Sequence, residues 1–213
     1  MPDLSYDLDA LSQHDRYKLL ISLVIPRPIA LVTTLGPTGV VNAAPFSFFN
    51  IFSESPPLCV LGLQSKPDKS LKDTSAHIRD RGAFVVNLVD EALGPQMNQC
   101  AVDFPPEVSE IDAAKLSLLP SRKIDIPRIA EAPAALECRH FTTLEMSAQR
   151  RLAIGEIVHV HVRKGLWDPD KMRVDMKQYR PLARLFGNYY ASLGEPFTHV
   201  RQSYEEWAAG QKK

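Results

Sequence analysis

A mainly β, barrel-like single domain with peripheral helices is the fold class that this sequence predicts, and three observations predict it. Apolar, β-branched runs recur between residues 25 and 89 and again between 134 and 167, bounded by Gly, Pro and polar turn residues. No internal repeat or low-complexity linker divides the 213 residues, a length that β-rich barrels often reach as one domain. Many strands of this kind need mutual closure to hide their edges. One domain is therefore expected over 1–213, with its core at about 20–192.

The elements follow in chain order. Ser12 followed by Asp15 resembles a helix start, and Tyr17, Leu20, Ile21 and Val24 then recur on one helical face. IPRPIALVTT (25–34) switches to a β-branched run, GPTG (36–39) supplies a turn, and VVNAA resumes the extended chain, which makes a hairpin. NAAPFSFFN (42–50) interrupts the apolar pattern. Pro45 cannot donate to a ladder and belongs at an edge, a strand end or a bulge, and small residues there let a flat group approach the backbone. PPLCVLGL (56–63) reads as the next strand, with Pro56 and Pro57 confined to its start. In KPDKSLKDTSAHIRDRG (66–82), Leu71, Ser75 and Ile78 share a helical face, Asp73 or Thr74 can cap, and Gly82 can end the helix. AFVVNLV (83–89) reads as a buried strand. EALGPQMNQCA (91–101) looks like a short helix interrupted at Gly94 and Pro95, and the prolines at 105, 106, 120, 127 and 133 leave irregular surface wrapping. AALECRHFTTLEM (134–146) and LAIGEIVHVHVRKGLW (152–167) are strands. In the second, Ile157, His159 and His161 point one way and Val158, Val160 and Val162 the other, so one face is apolar. YRPLARLFGNYYASLG (179–194) is rich in Tyr, Arg and Gly, and SYEEWAAGQKK (203–213) predicts a helix with a charged end.

Composition excludes several function classes. Lys plus Arg and Asp plus Glu number 25 each, which gives no net attraction to nucleic acid or an anionic membrane. No apolar run approaches the roughly 20 residues needed to span a bilayer. The acidic MPDLSYDLDAL lacks the layout of a signal peptide. Cys59, Cys100 and Cys138 form neither a disulfide framework nor a zinc pattern, and a reducing, cytoplasmic setting is expected. None of the six His falls into HExxH or a paired Cys/His arrangement, so no metal is expected, and His159 and His161 read as half-buried packing or interface residues. A G-x-S-x-G elbow, a GxxxxGK[ST] phosphate loop and a GxGxxG turn after a strand are all missing. Glu107, Glu110 and Asp112 in the Pro-rich loop read as solvated surface.

What remains is a dispersed set: Arg27 and Pro28, the NAAPFSFFN block, Ser65 with Lys66, and Lys72, Asp73 and Thr74 near a helix N-terminus. These offer hydroxyls, ammonium groups and unpaired amides, the donors that a phosphate needs. Taken alone, the set reads as a Lys-rich turn with a helix cap. Its order along the chain is more specific. Arg-Pro-x-x-x-Val-Thr-Thr, N-A-A-P-F-S-F-F, PPL before a strand, K-D-T before a helix, F-V-V-N-L, I-G-E-I-V and Y-x-P-L-x-R-L-x-G-x-x-Y together resemble the flavin reductase-like, FMN-binding split-barrel family, flavoredoxin included.

The resemblance implies a six-stranded Greek-key split barrel, a homodimer, and one FMN per subunit near the dimer interface. By position, Asn42, Ala43, Ala44, Pro45 and Ser47 would edge the isoalloxazine, while Ser65, Lys66, Lys72, Asp73 and Thr74 would hold the phosphate and ribityl end. Arg27, Pro28 and Phe46 complete the expected cofactor-binding set, and Arg184, Gly187 and Tyr190 resemble a closing segment near the flavin, from the same subunit or its twin. His77 stands where many relatives have Asn and could bond the phosphate, more strongly when protonated. Phe186 with Gly187 replaces a Gly pair and could narrow the pocket. The implied activity is an NAD(P)H:flavin oxidoreductase that passes hydride to FMN N5 and on to a small-molecule acceptor, free flavin or a monooxygenase partner. The cofactor carries the chemistry, which agrees with the lack of any evident acid, base or nucleophile. The rival reading is a flavoredoxin-like FMN electron carrier reduced by a protein partner.

Overall fold

The computed structural model describes residues 3–105 and 108–210, and its frame is one antiparallel sheet of seven strands. These are β1 (Ala30–Leu35), β2 (Val41–Phe46), β3 (Phe49–Glu54), β4 (Pro57–Gln64), β5 (Ala83–Leu88), β6 (Ala134–Ser147) and β7 (Arg150–Val162). Their order across the sheet is β2-β1-β5-β6-β7-β4-β3. The two edge strands, β2 and β3, are consecutive in the chain and joined by only Ser47 and Phe48, so the sheet must curl until its edges approach one another at that corner. Gly62 of β4 receives the corner: its N–H donates to Phe48 O at 2.7 Å, and a Cβ at 62 would lie 2.8 Å from Phe48 Cβ.

This corner also corrects one expectation and meets another. The sheet has seven strands where the resemblance implies six: Phe49–Glu54, left between the strands read in VVNAA and PPLCVLGL, is a strand of its own. Pro45 sits near the end of the edge strand β2, one of the places expected of it, and is tolerated there because β2 pairs only with β1 and needs no outward donor.

β1 explains the long apolar run in the sequence. Ala30 and Val32 point into one core cluster with Phe49, Leu61, Phe84 and Cys138, whereas Leu31 points into a second with Leu93, Met97, Ile111 and Ile129. Both faces are thus covered, by the opposite wall of the curled sheet and by the helices outside it. The inner core depends on Gly155 of β7, where a Cβ would meet Phe84 Cζ at 2.4 Å. Cys59 and Cys138 pack as small hydrophobes in this interior, with their sulfurs 3.6 Å apart.

The helices are short. α1 (Gln13–Leu23) is capped as predicted, with Ser12 Oγ accepting from Asp15 N and donating to the Asp15 carboxylate, but of its apolar face only Ile21 is buried. α2 (Asp73–Arg81) ends at Gly82, whose φ of 65° is the left-handed C-terminal turn expected of it. α3 (Gly94–Gln99) begins at Gly94 and Pro95 rather than being interrupted there, since a proline in the first turn sacrifices no helical hydrogen bond. α4 (Glu110–Ala113) and a two-residue ribbon, Leu118–Leu119 with Arg128–Ile129, are the regular parts of the Pro-rich segment. Pro106 and Glu107 lie outside the described residues. α5 (Tyr204–Gly210) forms the C-terminal helix, and residues 211–213 of the predicted charged end also lie outside.

β7 stops at Val162, five residues before its expected end, and Trp167–Asp168 pairs separately with Arg173–Val174. Its faces carry a second surprise. Val160 and Val162 are exposed, while His159 and His161 are half-buried beside Glu137, whose side chain is fully buried. Among the described residues no helix is long and apolar enough to cross a membrane.

Candidate functional site

A cavity of about 760 Å³ opens between the β2–β3 corner, the end of β4, the start of α2 and the segment 100–104. That volume lies within the range of ligand and cofactor pockets. One wall is the end of β2, with Ala44, Pro45, Phe46 and Ser47, continued by Phe48 and Gly62. Small and cyclic side chains here leave backbone accessible to a flat ligand. β2 is held in place from outside: Ser109 Oγ donates to Val41 O at 2.8 Å, and Ala43 N donates to Glu110 Oε2 at 3.0 Å. Ala43 itself is buried.

Asn42 links this wall to α2. Its amide donates to Thr34 Oγ1 (3.3 Å) and Thr74 Oγ1 (3.2 Å), and Thr34 Oγ1 in turn meets His77 Nδ1 at 3.1 Å. With Asn42 donating to it, the Thr34 hydroxyl is free to donate to the imidazole. Burial lowers the His77 pKa, and its ring backs the Asn42–Thr34 contact rather than lining the cavity. The neutral ring follows from the low dielectric around it.

The opposite end is polar. Lys66, Asp68, Lys72, Asp73, Thr74 and Ser75 line it, and Lys72 caps α2 without any side-chain hydrogen bond to the first-turn amides. Those amides and the helix dipole therefore remain available to an anion. Lys66 pairs loosely with Asp73 (3.7 Å) and Lys72 with Asp103 (3.4 Å), both pairs substantially exposed. Arg150, from the β6–β7 turn, adds a third cation. Ser65 faces away: buried, it donates to Ala148 O at 3.2 Å and accepts from Arg151, so its side chain fixes the turn that carries Arg150.

Arg27 also stands behind the cavity. Its buried guanidinium donates to Ile21 O and Val24 O (2.8 Å each), to Leu185 O, and through Nε to Ser47 Oγ at 3.3 Å. Pro28 follows it at the entry to β1 and does not line the cavity. The backbone of Arg27 exchanges hydrogen bonds with Arg184, which couples the corner residue Ser47 to the C-terminal segment. There the Arg184 guanidinium lies 4.5 Å from the Tyr190 ring centroid and donates to Gly187 O at 2.6 Å, while Tyr190 Oη donates to Asn98 Oδ1 at 3.2 Å. Arg184, Gly187 and Tyr190 thus form a ribbon against α3, outside the cavity of their own chain.

Several lining residues were not legible in the sequence. Gln64, the stretch Cys100–Phe104, Glu110 and Arg150 arrive from segments without a recognisable pattern, and Phe48 comes from the NAAPFSFFN block without having been named for the site. Glu110 corrects the reading of its loop as solvated surface: its carboxylate is half-buried at the cavity edge, and burial raises its pKa. Ser109, accepting from Ile111 N as a helix cap, was the one available signal that this loop contains ordered structure. Burial, with Glu110 nearby, also pushes the Cys100 thiol up to about 12, which removes it as a nucleophile.

Comparison with known proteins agrees with this fold. The 2-nitrobenzoate 2-nitroreductase NbaA of Pseudomonas fluorescens superimposes with a TM-score of 0.87 at 38% identity, over 94% of this chain and 98% of that one. Nitrilotriacetate monooxygenase component B of Bacillus cereus gives 0.88 at 37% identity, over 93% and 100%. A split barrel domain protein from Shewanella frigidimarina, at 19% identity and a TM-score of 0.80 over 94% and 100%, shares the fold. The model of the flavin reductase like domain matches residues 22–204, and the chain belongs to that family.

Proposed function

We propose that the cavity holds FMN and that the protein is an NAD(P)H:flavin oxidoreductase. The observation that carries this reading is the meeting, in one cavity, of a small-residue wall (Ala44–Pro45 and Gly62) with an uncapped helix N-terminus flanked by Lys66 and Lys72. A planar ring with an anionic tail matches both ends, and the residues fit the group. When bound, FMN supplies the hydride-accepting chemistry, taking reducing equivalents from NADH or NADPH and passing them to a small-molecule acceptor or free flavin. The chain's own tasks are positional. Lys66, Lys72, Thr74 and the first α2 amides hold the phosphate. The β2 backbone and Ser47, itself fixed by Arg27, border the ring. Asn42 keeps β2 and α2 at constant separation, and Glu110 holds β2 against the outer helices.

The 37% identity to a monooxygenase component supports delivery of reduced flavin to a separate monooxygenase, and the 38% identity to a nitroreductase supports small aromatic acceptors as an additional outlet. The protein is further proposed to be a homodimer in the cytoplasm. Ile51 and Phe52 are 50% and 76% exposed on the edge strand β3, and an apolar, unpaired edge is a template for a second copy. Phe52→Lys is expected to convert the dimer to a monomer in light scattering.

The absorption spectrum of the purified protein tests the cofactor: a flavin spectrum and released FMN are expected, and a colourless protein that takes up no FMN on titration refutes the reading. Anaerobic bleaching by NADH or NADPH tests the activity. Bleaching by neither would replace the reductase with an electron carrier reduced by a protein.

A further inference from the structure

We propose that Glu137, His159 and His161 form a divalent transition-metal site, best matched to Zn²⁺, at the end of the barrel remote from the cavity. The two histidines alternate on β7 and so present their rings on one side of the strand. Glu137 lies opposite His159 in the β6–β7 register, immediately before an irregularity that sets Cys138 against Ile157. The extra residue, Val158, is the bulge that re-aims the pair of rings over the carboxylate. As a result one nitrogen from each imidazole and one oxygen of Glu137 lie within 4.8 Å of each other. The rings meet edge to face with centroids 4.7 Å apart.

Two imidazoles and a carboxylate from adjacent strands are a donor set for Zn²⁺ and its neighbours in the first transition row, with the fourth position of a tetrahedron left to water. The surroundings suit it. Arg122 N and Lys123 N donate to Glu137 Oε1 and Oε2, each at 2.7 Å, which is the outer-shell support that fixes a ligating carboxylate. His161 Nε2 already contacts Oε1 at 2.6 Å. Metal entry takes the place of the hydrogen between these two atoms: that hydrogen leaves Nε2 to solvent, and the ligating imidazole stays neutral by carrying its one hydrogen on Nδ1. The site would clamp the segment Ser121–Ile126 onto the sheet. It lies about 30 Å along the strand from Arg150, at 3.3 Å per residue, and therefore takes no part in the flavin chemistry.

Full-length, untagged protein is dialysed against Zn²⁺ alone and the bound metal counted by mass spectrometry. About one Zn²⁺ per chain is expected, with at least tenfold weaker binding in His159→Ala and in His161→Ala. Absence of stoichiometric binding, or binding unchanged in both variants, overturns the proposal and leaves a His–carboxylate hydrogen-bond cluster. Imidazole ¹⁵N shifts of the wild-type protein on Zn²⁺ addition give an answer independent of the variants: His159 and His161 must move together, and unmoved resonances refute the site.

Discussion

The β6–β7 hairpin carries polar side chains at both ends, and the two ends use them differently. At its turn, Arg150 faces the cavity together with Lys66 and Lys72, whose pairs with Asp73 and Asp103 are loose and exposed. At its open end, Glu137 is fully buried and every contact is inward: two backbone N–H groups and an imidazole close on one carboxylate. Exposed pairs of the first kind contribute little to stability and remain available to a ligand. A buried carboxylate of the second kind would be costly if left alone and is stabilising only through its donors. Burial opposes its charge, but the hydrogen bonds from Arg122, His161 and Lys123 outweigh burial and hold Glu137 below the ordinary carboxylate range.

This contrast predicts that the two ends fail separately. The largest effect is expected from Glu137→Gln, which sets an amide N–H₂ against a backbone donor and should lower unfolding stability by about 3 kcal/mol, read in denaturant melts, with FMN affinity unchanged. Its pH dependence follows from the sign of the shift. The native-state pKa lies below the unfolded value of 4.5, so the contribution is complete above that value and is lost as pH falls through the lower native one. The gap between wild type and Glu137→Gln should therefore shrink in melts below about pH 4.5.

Midway between the ends, Gly155→Ala pushes a methyl into the Phe84 ring and is expected to cost about 2 kcal/mol of stability through overpacking. A Gly155→Ala protein as stable as wild type would show that the inner core yields. At the cavity end, Lys72→Ala with Thr74→Ala should weaken FMN binding more than tenfold, or about 1.4 kcal/mol, in flavin titrations. An unchanged dissociation constant would remove these residues from the site. Lys72→Ala alone should move unfolding stability by no more than about 0.5 kcal/mol, the smallest of these effects.

Much of the frame is readable without coordinates. The hairpin around GPTG, the Ser12 cap, the Gly82 stop and the strands 83–88 and 134–147 follow from local rules, because each is decided by residues within a turn or two of chain. The motifs on NAAPFSFFN, Lys66 and Lys72–Thr74 likewise end in one cavity. Glu110 and Arg150 could not be anticipated, since they reach the cavity from segments whose local pattern is that of loop and turn.

By itself, then, the sequence determined the strands, the turns and the family to which the chain belongs. Only the tertiary structure decided which side of each strand is inside and which distant groups share a space. NAAPFSFFN is a corner because the sheet's own edges must meet there, and a Cβ at Gly62 would collide with Phe48. The valine face of β7 is outside and its histidine face inside because Glu137, on the neighbouring strand, needs donors once buried. Alternation along a strand separates two faces, but it cannot say which one the closed sheet will cover; that depends on partners far away in the chain.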